Sequence, residues 1–138
     1  MGVTTTFLDM RKKGYVAHAE KYLDGMRLPN IPYFFTNANV EFRLGSIVKS
    51  FSDALSIYSN YQYVHQYNLY YAGGIDDSEK AVIPTQHVMN AGLNYSILNN
   101  KLTISFECNN VLDQKLYDNY KLQKPERSYR VKLNFNIL

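Results

Sequence analysis

A chain of 138 residues with 15 Lys and Arg against 12 Asp and Glu, a net charge of +3, is enough for one ordinary domain and leaves no room for a second. That excess is too small and too scattered to build a nucleic-acid surface, so no nucleic-acid partner is expected. A single cysteine, Cys108, excludes an internal disulfide framework and a cysteine-based zinc site.

Aromatic usage is more informative than charge. There are 13 Tyr and 7 Phe and no Trp. Tyrosine, with an apolar ring and a polar tip, suits strand faces and the aromatic girdles at membrane boundaries. No apolar run approaches the roughly 20 residues of a helical membrane span. A mean hydropathy of -0.35 therefore excludes helical spanning but not a barrel, whose strands carry only a weak alternating signal. The opening MGVTTTFLDMRKKGY lacks the basic region and apolar stretch of a secretory signal, so the expectation is a chain that stays inside or is part of a longer product.

In chain order, Gly2 to Arg11 is rich in Thr and reads as a strand of uncertain register. Gly14, Gly25, Pro29 and Pro32 then break a long loop, with room for a short helical turn over Ala17 to Leu23. From Phe34, Val40, Phe42 and Leu44 alternate with Asn39, Glu41 and Arg43, the period of a strand with one apolar and one polar face. A brief turn spans Gly45 to Asp53. Ala54 to Tyr71 gives the longest pattern, with Leu55, Ile57, Tyr61 and Tyr63 against Ser56, Asn60 and Gln62, and is expected to exceed a membrane crossing.

Gly73, Gly74, Asp76, Asp77 and Pro84 mark a second long loop. Met89, Ala91, Leu93, Tyr95 and Ile97 then alternate with Asn90, Gly92, Asn94 and Ser96, and Asn99-Asn100 is a tight-turn signal. Leu102, Ile104, Phe106 and Cys108 alternate with Thr103, Ser105, Glu107 and Asn109. After a polar connection, Tyr129, Val131, Leu133 and Phe135 alternate with Ser128, Arg130, Lys132 and Asn134. The expected fold is all-β, an antiparallel up-and-down meander of about six strands.

The connections alternate long, short, long, short, long, an asymmetry typical of outer-membrane barrels and forced by nothing in a soluble sheet. Packing the polar face against an apolar core would bury many amides and several charges, at about 1 to 3 kcal/mol each when unpaired. The expectation is therefore that Val40, Phe42, Leu55, Ile57, Leu93, Tyr95, Ile104, Phe106, Tyr129, Val131, Leu133 and Phe135 face lipid. Asn39, Glu41, Arg43, Asn60, Asn94, Glu107, Arg130, Lys132 and Asn134 would then face a wet interior.

Little else carries chemistry. His18, His65 and His87 show no metal-ligand spacing. Asp76, Asp77 and Glu79 lack the pattern of a calcium loop. Cys108 reads as a small hydrophobe. There is no nucleophile motif and no phosphate-binding glycine loop, so no catalytic residue, metal or cofactor is expected.

Residues 102–127 resemble the carboxy-terminal part of a TonB-dependent outer-membrane receptor. The likeness rests on the strand LTISFE and the turn Asn109-Asn110-Val111-Leu112-Asp113. Tyr117 follows, and then a Pro-x-Arg element at Pro125 to Arg127 leading into the last alternating strand. Arg27-Leu28-Pro29-Asn30-Ile31-Pro32-Tyr33 is similar to the family's proline-containing lead-in to an earlier strand. Asn110, Leu112, Asp113, Tyr117, Pro125 and Arg127 are the positions that match; Glu126 stands where the family has Gly.

The resemblance implies a partial barrel, not closed by itself, whose partners are outer-membrane lipid, the rest of an approximately 22-stranded barrel, a plug domain, and TonB acting through that plug. It further implies ligand uptake across the outer membrane, with the ligand itself unspecified, and a segment that is inactive alone. Two other classes fit the alternation. One is a soluble β-sandwich binding carbohydrate or protein through exposed tyrosines, and the other a small closed outer-membrane barrel.

Overall fold

The computed structural model describes residues 1–14, 23–45, 53–71, 82–119 and 122–136. Its ten strands in chain order are β1 (Gly2–Phe7), β2 (Phe34–Leu44), β3 (Ala54–Val64), β4 (Tyr67–Asn68), β5 (Val82–Ile83), β6 (Gln86–Ile97), β7 (Leu102–Asn109), β8 (Tyr117–Asn119), β9 (Leu122–Gln123) and β10 (Ser128–Phe135). No α-helix is present among the described residues. The helical turn expected over 17–23 and the acidic loop at 76–79 fall outside the described residues, apart from Leu23.

Six strands form one sheet in the order β1-β2-β3-β6-β7-β10, every neighbour antiparallel. The two short pairs, β4-β5 and β8-β9, are hairpins inside the long connections. The sheet is an open up-and-down meander: among the described residues β1 and β10 pair on one side only.

Register sorts the side chains cleanly, because residues directly opposite across a ladder share a face. One cross-strand row runs Phe42, Ile57, Leu93, Phe106, Val131, and the next runs Leu44, Leu55, Tyr95, Ile104, Leu133. On the other face a row runs Glu41, Tyr58, Gly92, Glu107, Arg130, and another Arg43, Ser56, Asn94, Ser105, Lys132.

Strand β3 ends earlier than the sequence pattern predicts. Alternation suggested a strand to Tyr71, but the last backbone bond to β2 is from the His65 N–H to the Phe34 carbonyl, at 3.0 Å. Tyr67 and Asn68 turn away to pair with Ile83 and Val82. β2 begins at Phe34, so β3 has no partner to climb further, and its remaining backbone groups must bond within the loop. β6, at 12 residues, is the longest strand.

The tight turn between β6 and β7 holds Leu98, Asn99 and Asn100 at φ of 55°, 56° and 64°. Asparagine tolerates that region through local hydrogen bonding, whereas leucine has no such compensation.

Buried apolar side chains do not lie beneath the sheet. Leu23, Leu69, Ile83 and Leu116 are buried, and all four belong to the long connections at one end. Phe42, Ile57, Phe106 and Leu133 remain 55%, 44%, 40% and 67% exposed. The sheet has an apolar face with no protein layer on it among the described residues.

Candidate functional site

The residues expected to face lipid share one face, and those expected to face water share the other. Pairing sets the sorting: in the rows of Phe42 and Leu44 apolar residues meet apolar residues from β2 through to β10, so a one-residue slip would turn a whole strand's pattern to the wrong side.

Polar atoms on the apolar face are mostly paired within the protein. The Thr36 and Thr5 hydroxyls bond at 3.3 Å across β2 and β1, and the Ser59 hydroxyl donates to the Asn90 carbonyl at 3.2 Å. The Tyr61 hydroxyl meets His87 Nδ1 at 2.7 Å, and the Tyr63 hydroxyl meets His65 Nδ1 at 2.8 Å. At the short-turn end the Tyr95 hydroxyl donates to Asp53 Oδ2 at 2.9 Å. Among these strand residues the Tyr129 hydroxyl is the exception; its ring stacks on Phe106 with centroids 6.1 Å apart.

The opposite face behaves differently. Asn37, Asn39, Asn60 and Gln62 have side-chain amides with no partner among the described residues. They line a shallow depression of about 190 Å³ with Asn90. Glu41 accepts two bonds from the Arg43 guanidinium at 2.8 and 3.1 Å, and Glu107 lies 3.6 Å from Arg130. Between these pairs the Tyr58 ring lies flat over Gly92: a Cβ there would stand 2.5 Å from the ring's Cζ. Only a residue without a side chain lets the ring lie so close to the sheet.

Aromatic residues collect where the apolar face meets the long connections. Phe34 and Tyr63 are 5.7 Å apart edge to face, Tyr63 and His87 5.2 Å, Tyr33 and His65 4.9 Å, and Phe7 and Tyr33 6.1 Å. From the His87 row to Tyr95 near the other end, β6 rises about 27 Å at roughly 3.4 Å per residue.

Asn110, Leu112, Asp113, Tyr117, Pro125 and Arg127 all lie on the connection between β7 and β10. Asn110 is buried, at φ 52°. Its Oδ1 accepts the Gln114 N–H at 3.1 Å, and its Nδ2 donates to the Gln114 carbonyl at 2.8 Å. Its own N–H donates to Asn90 Oδ1 at 2.9 Å. Asp113 Oδ1 accepts the Arg127 N–H at 3.0 Å, fixing where β10 begins. The Tyr117 backbone is held in both directions by the Gln86 amide, each bond 2.9 Å. Leu112 and Pro125 lie exposed on the same connection.

Sequence reasoning missed Gln86, Asn90 and Gln114 as members of the corner where this connection bonds to β6. Gln86 bonds to Tyr117, 31 residues on, and no local pattern marks so distant a partner. No group of three or more His, Cys, Asp or Glu side chains comes together among the described residues.

No family model, curated protein or solved structure matches this chain. Its geometry and residues alone carry the functional argument.

Proposed function

We propose that this chain is the carboxy-terminal set of strands of an outer-membrane β-barrel receptor of the TonB-dependent kind, taking part in ligand uptake and transporting nothing alone. The observation that supports it most is the contrast between the two faces. Hydroxyls on the apolar face, Tyr129 excepted, are bonded internally, as a surface in hydrocarbon requires, while on the other face Asn94 and Asn90 are bonded but the amides of Asn37, Asn39, Asn60 and Gln62 are left open, as a surface in water permits. Large side chains with no covering layer among the described residues, and aromatic residues gathered where they meet the long connections, support the same reading.

In this reading the amide-rich face looks into the lumen, the long connections stand outside, and the turn built on Asn110 fixes the last strand for pairing with the rest of the barrel. Fractionation tests it. Protein expressed from the native gene should stay with outer membranes through carbonate washing and be released by detergent. Recovery as a detergent-free monomer with a cooperative melt would instead favour a soluble sandwich.

A further inference from the structure

A cavity of about 280 Å³ opens at the long-connection end, with Arg27, His65, Gln66 and Asn68 as polar walls and Leu28 and Ile31 as apolar ones. Its walls are tied in place by backbone bonds. The Leu28 N–H donates to the Met10 carbonyl at 2.9 Å and the Asn30 N–H to the Asn68 carbonyl at 2.7 Å. The Gln66 N–H donates to the Thr85 hydroxyl at 3.3 Å.

Its donors are set but uncommitted. The Arg27 guanidinium lies over the Tyr33 ring, Cζ 4.1 Å from the centroid, and its Nε donates to Asp9 Oδ1 at 3.2 Å. Both Nη groups have no partner among the described residues. Asp9 Oδ1 also accepts from Arg11 Nε at 3.1 Å, so one carboxylate serves two guanidiniums and the cluster keeps a net positive charge. His65 Nδ1 is engaged by the Tyr63 hydroxyl. Its other ring nitrogen, Nε2, has no partner among the described residues. The amides of Gln66 and Asn68 have no side-chain bonds.

We propose that this cavity binds a phosphate monoester. Three terminal phosphate oxygens carry more charge and more acceptor positions than the two of a carboxylate, and their tetrahedral spread reaches the guanidinium, the imidazole and the amides together. The apolar walls leave room for the ester's carbon side. The ester is either a phosphate on a lipid or a soluble metabolite. The inference stands on loop geometry and does not rest on the membrane reading: a chain that bound phosphate yet washed off membranes would keep this and lose that.

The test titrates the full chain, refolded in the uncharged detergent octyl glucoside. The probes are inorganic phosphate, glycerol 3-phosphate and short-chain phosphatidic acid, with phosphatidylcholine as control, and the His65 ring resonances are followed by NMR. Saturable shifts are expected with the first three and not with phosphatidylcholine. Arg27→Met should weaken binding about tenfold or more, the loss of a charged hydrogen bond, while Lys101→Met at the far end of the sheet should change it less than about twofold. Saturation by phosphatidic acid below the glycerol 3-phosphate concentration assigns a lipid source; the reverse order assigns a soluble one. Absence of saturable His65 shifts in the unmutated chain, or equal weakening by both substitutions, would overturn the proposal.

Discussion

Truncating Asn110 to Ala would strip the Gln114 N–H and carbonyl of their partners and leave an alanine in left-handed backbone. Two neutral hydrogen bonds and the conformational penalty together make about 2 to 3 kcal/mol. Asn110→Gly, which relieves the backbone, should recover about 1 kcal/mol of that, as read from urea midpoints in detergent. Leu98 invites the opposite change. At φ 55° and 54% exposed it gains little from its side chain, so Leu98→Asn is expected to stabilise by up to about 1 kcal/mol. The Arg11 guanidinium bonded to Asp9, followed by Arg27, holds that carboxyl below its ordinary 3.8. A lowered folded value means the contribution is complete above the unfolded value and is lost as pH falls through the folded one. The Asp9 carboxyl resonance should therefore titrate below pH 3.8, and the Arg11 and Arg27 Nε–H resonances should shift in that range in the unmutated chain but not in Asp9→Asn.

At the level of the strands, the sharpest test lies in two adjacent residues of β3. Ile57 is 44% exposed and sits on the apolar face, with Ser56 on the other. In water, Lys at an exposed position such as Ile57 would cost within about 0.5 kcal/mol. Against lipid it should cost about 2 to 4 kcal/mol, whereas Ser56→Lys should be near neutral. Equal effects in a bilayer would remove the basis for the membrane reading. Gly92→Val should displace the Tyr58 ring and cost about 1 to 3 kcal/mol, with a weakened Glu107–Arg130 contact visible in side-chain NMR. Strands of period two were legible from the sequence because each is flanked by others with the same requirement: the alternation of β2, β6, β7 and β10 survives intact in the ladder register. The end of β3 was not legible, because alternation through Tyr67 and Leu69 persists where the partner strand stops. Leu69 is buried in the connection, not displayed on the sheet. The candidate faces were readable for the same reason as the strands. The Gln86 and Asn90 side of the corner and the Arg27 cavity were not, because their partners lie 20 to 31 positions away in the one case and on separate connections in the other.

For the sheet as a whole, β1 and β10 each keep a row of backbone groups unpaired among the described residues, and in hydrocarbon every such group costs several kcal/mol. The chain alone in detergent should consequently associate, giving a protein mass well above 16.0 kDa that grows with concentration in light scattering. A monomer at all concentrations would contradict an edge that needs partners. Both borders are tied to the rest of the chain; directly after β1 the Leu8 N–H donates to the Tyr33 carbonyl at 2.7 Å. β10 is pinned where it starts by the Asp113 carboxylate on the Arg127 N–H, and pinned where it ends by the Asn136 N–H on the Lys101 carbonyl, at 2.8 Å. Backbone freedom of about 1 to 2 kcal/mol per residue has therefore already been surrendered along that border before any newcomer arrives. Whatever docks there meets a ready-made template, and the event becomes a search for alignment, with little disorder left to overcome on this side.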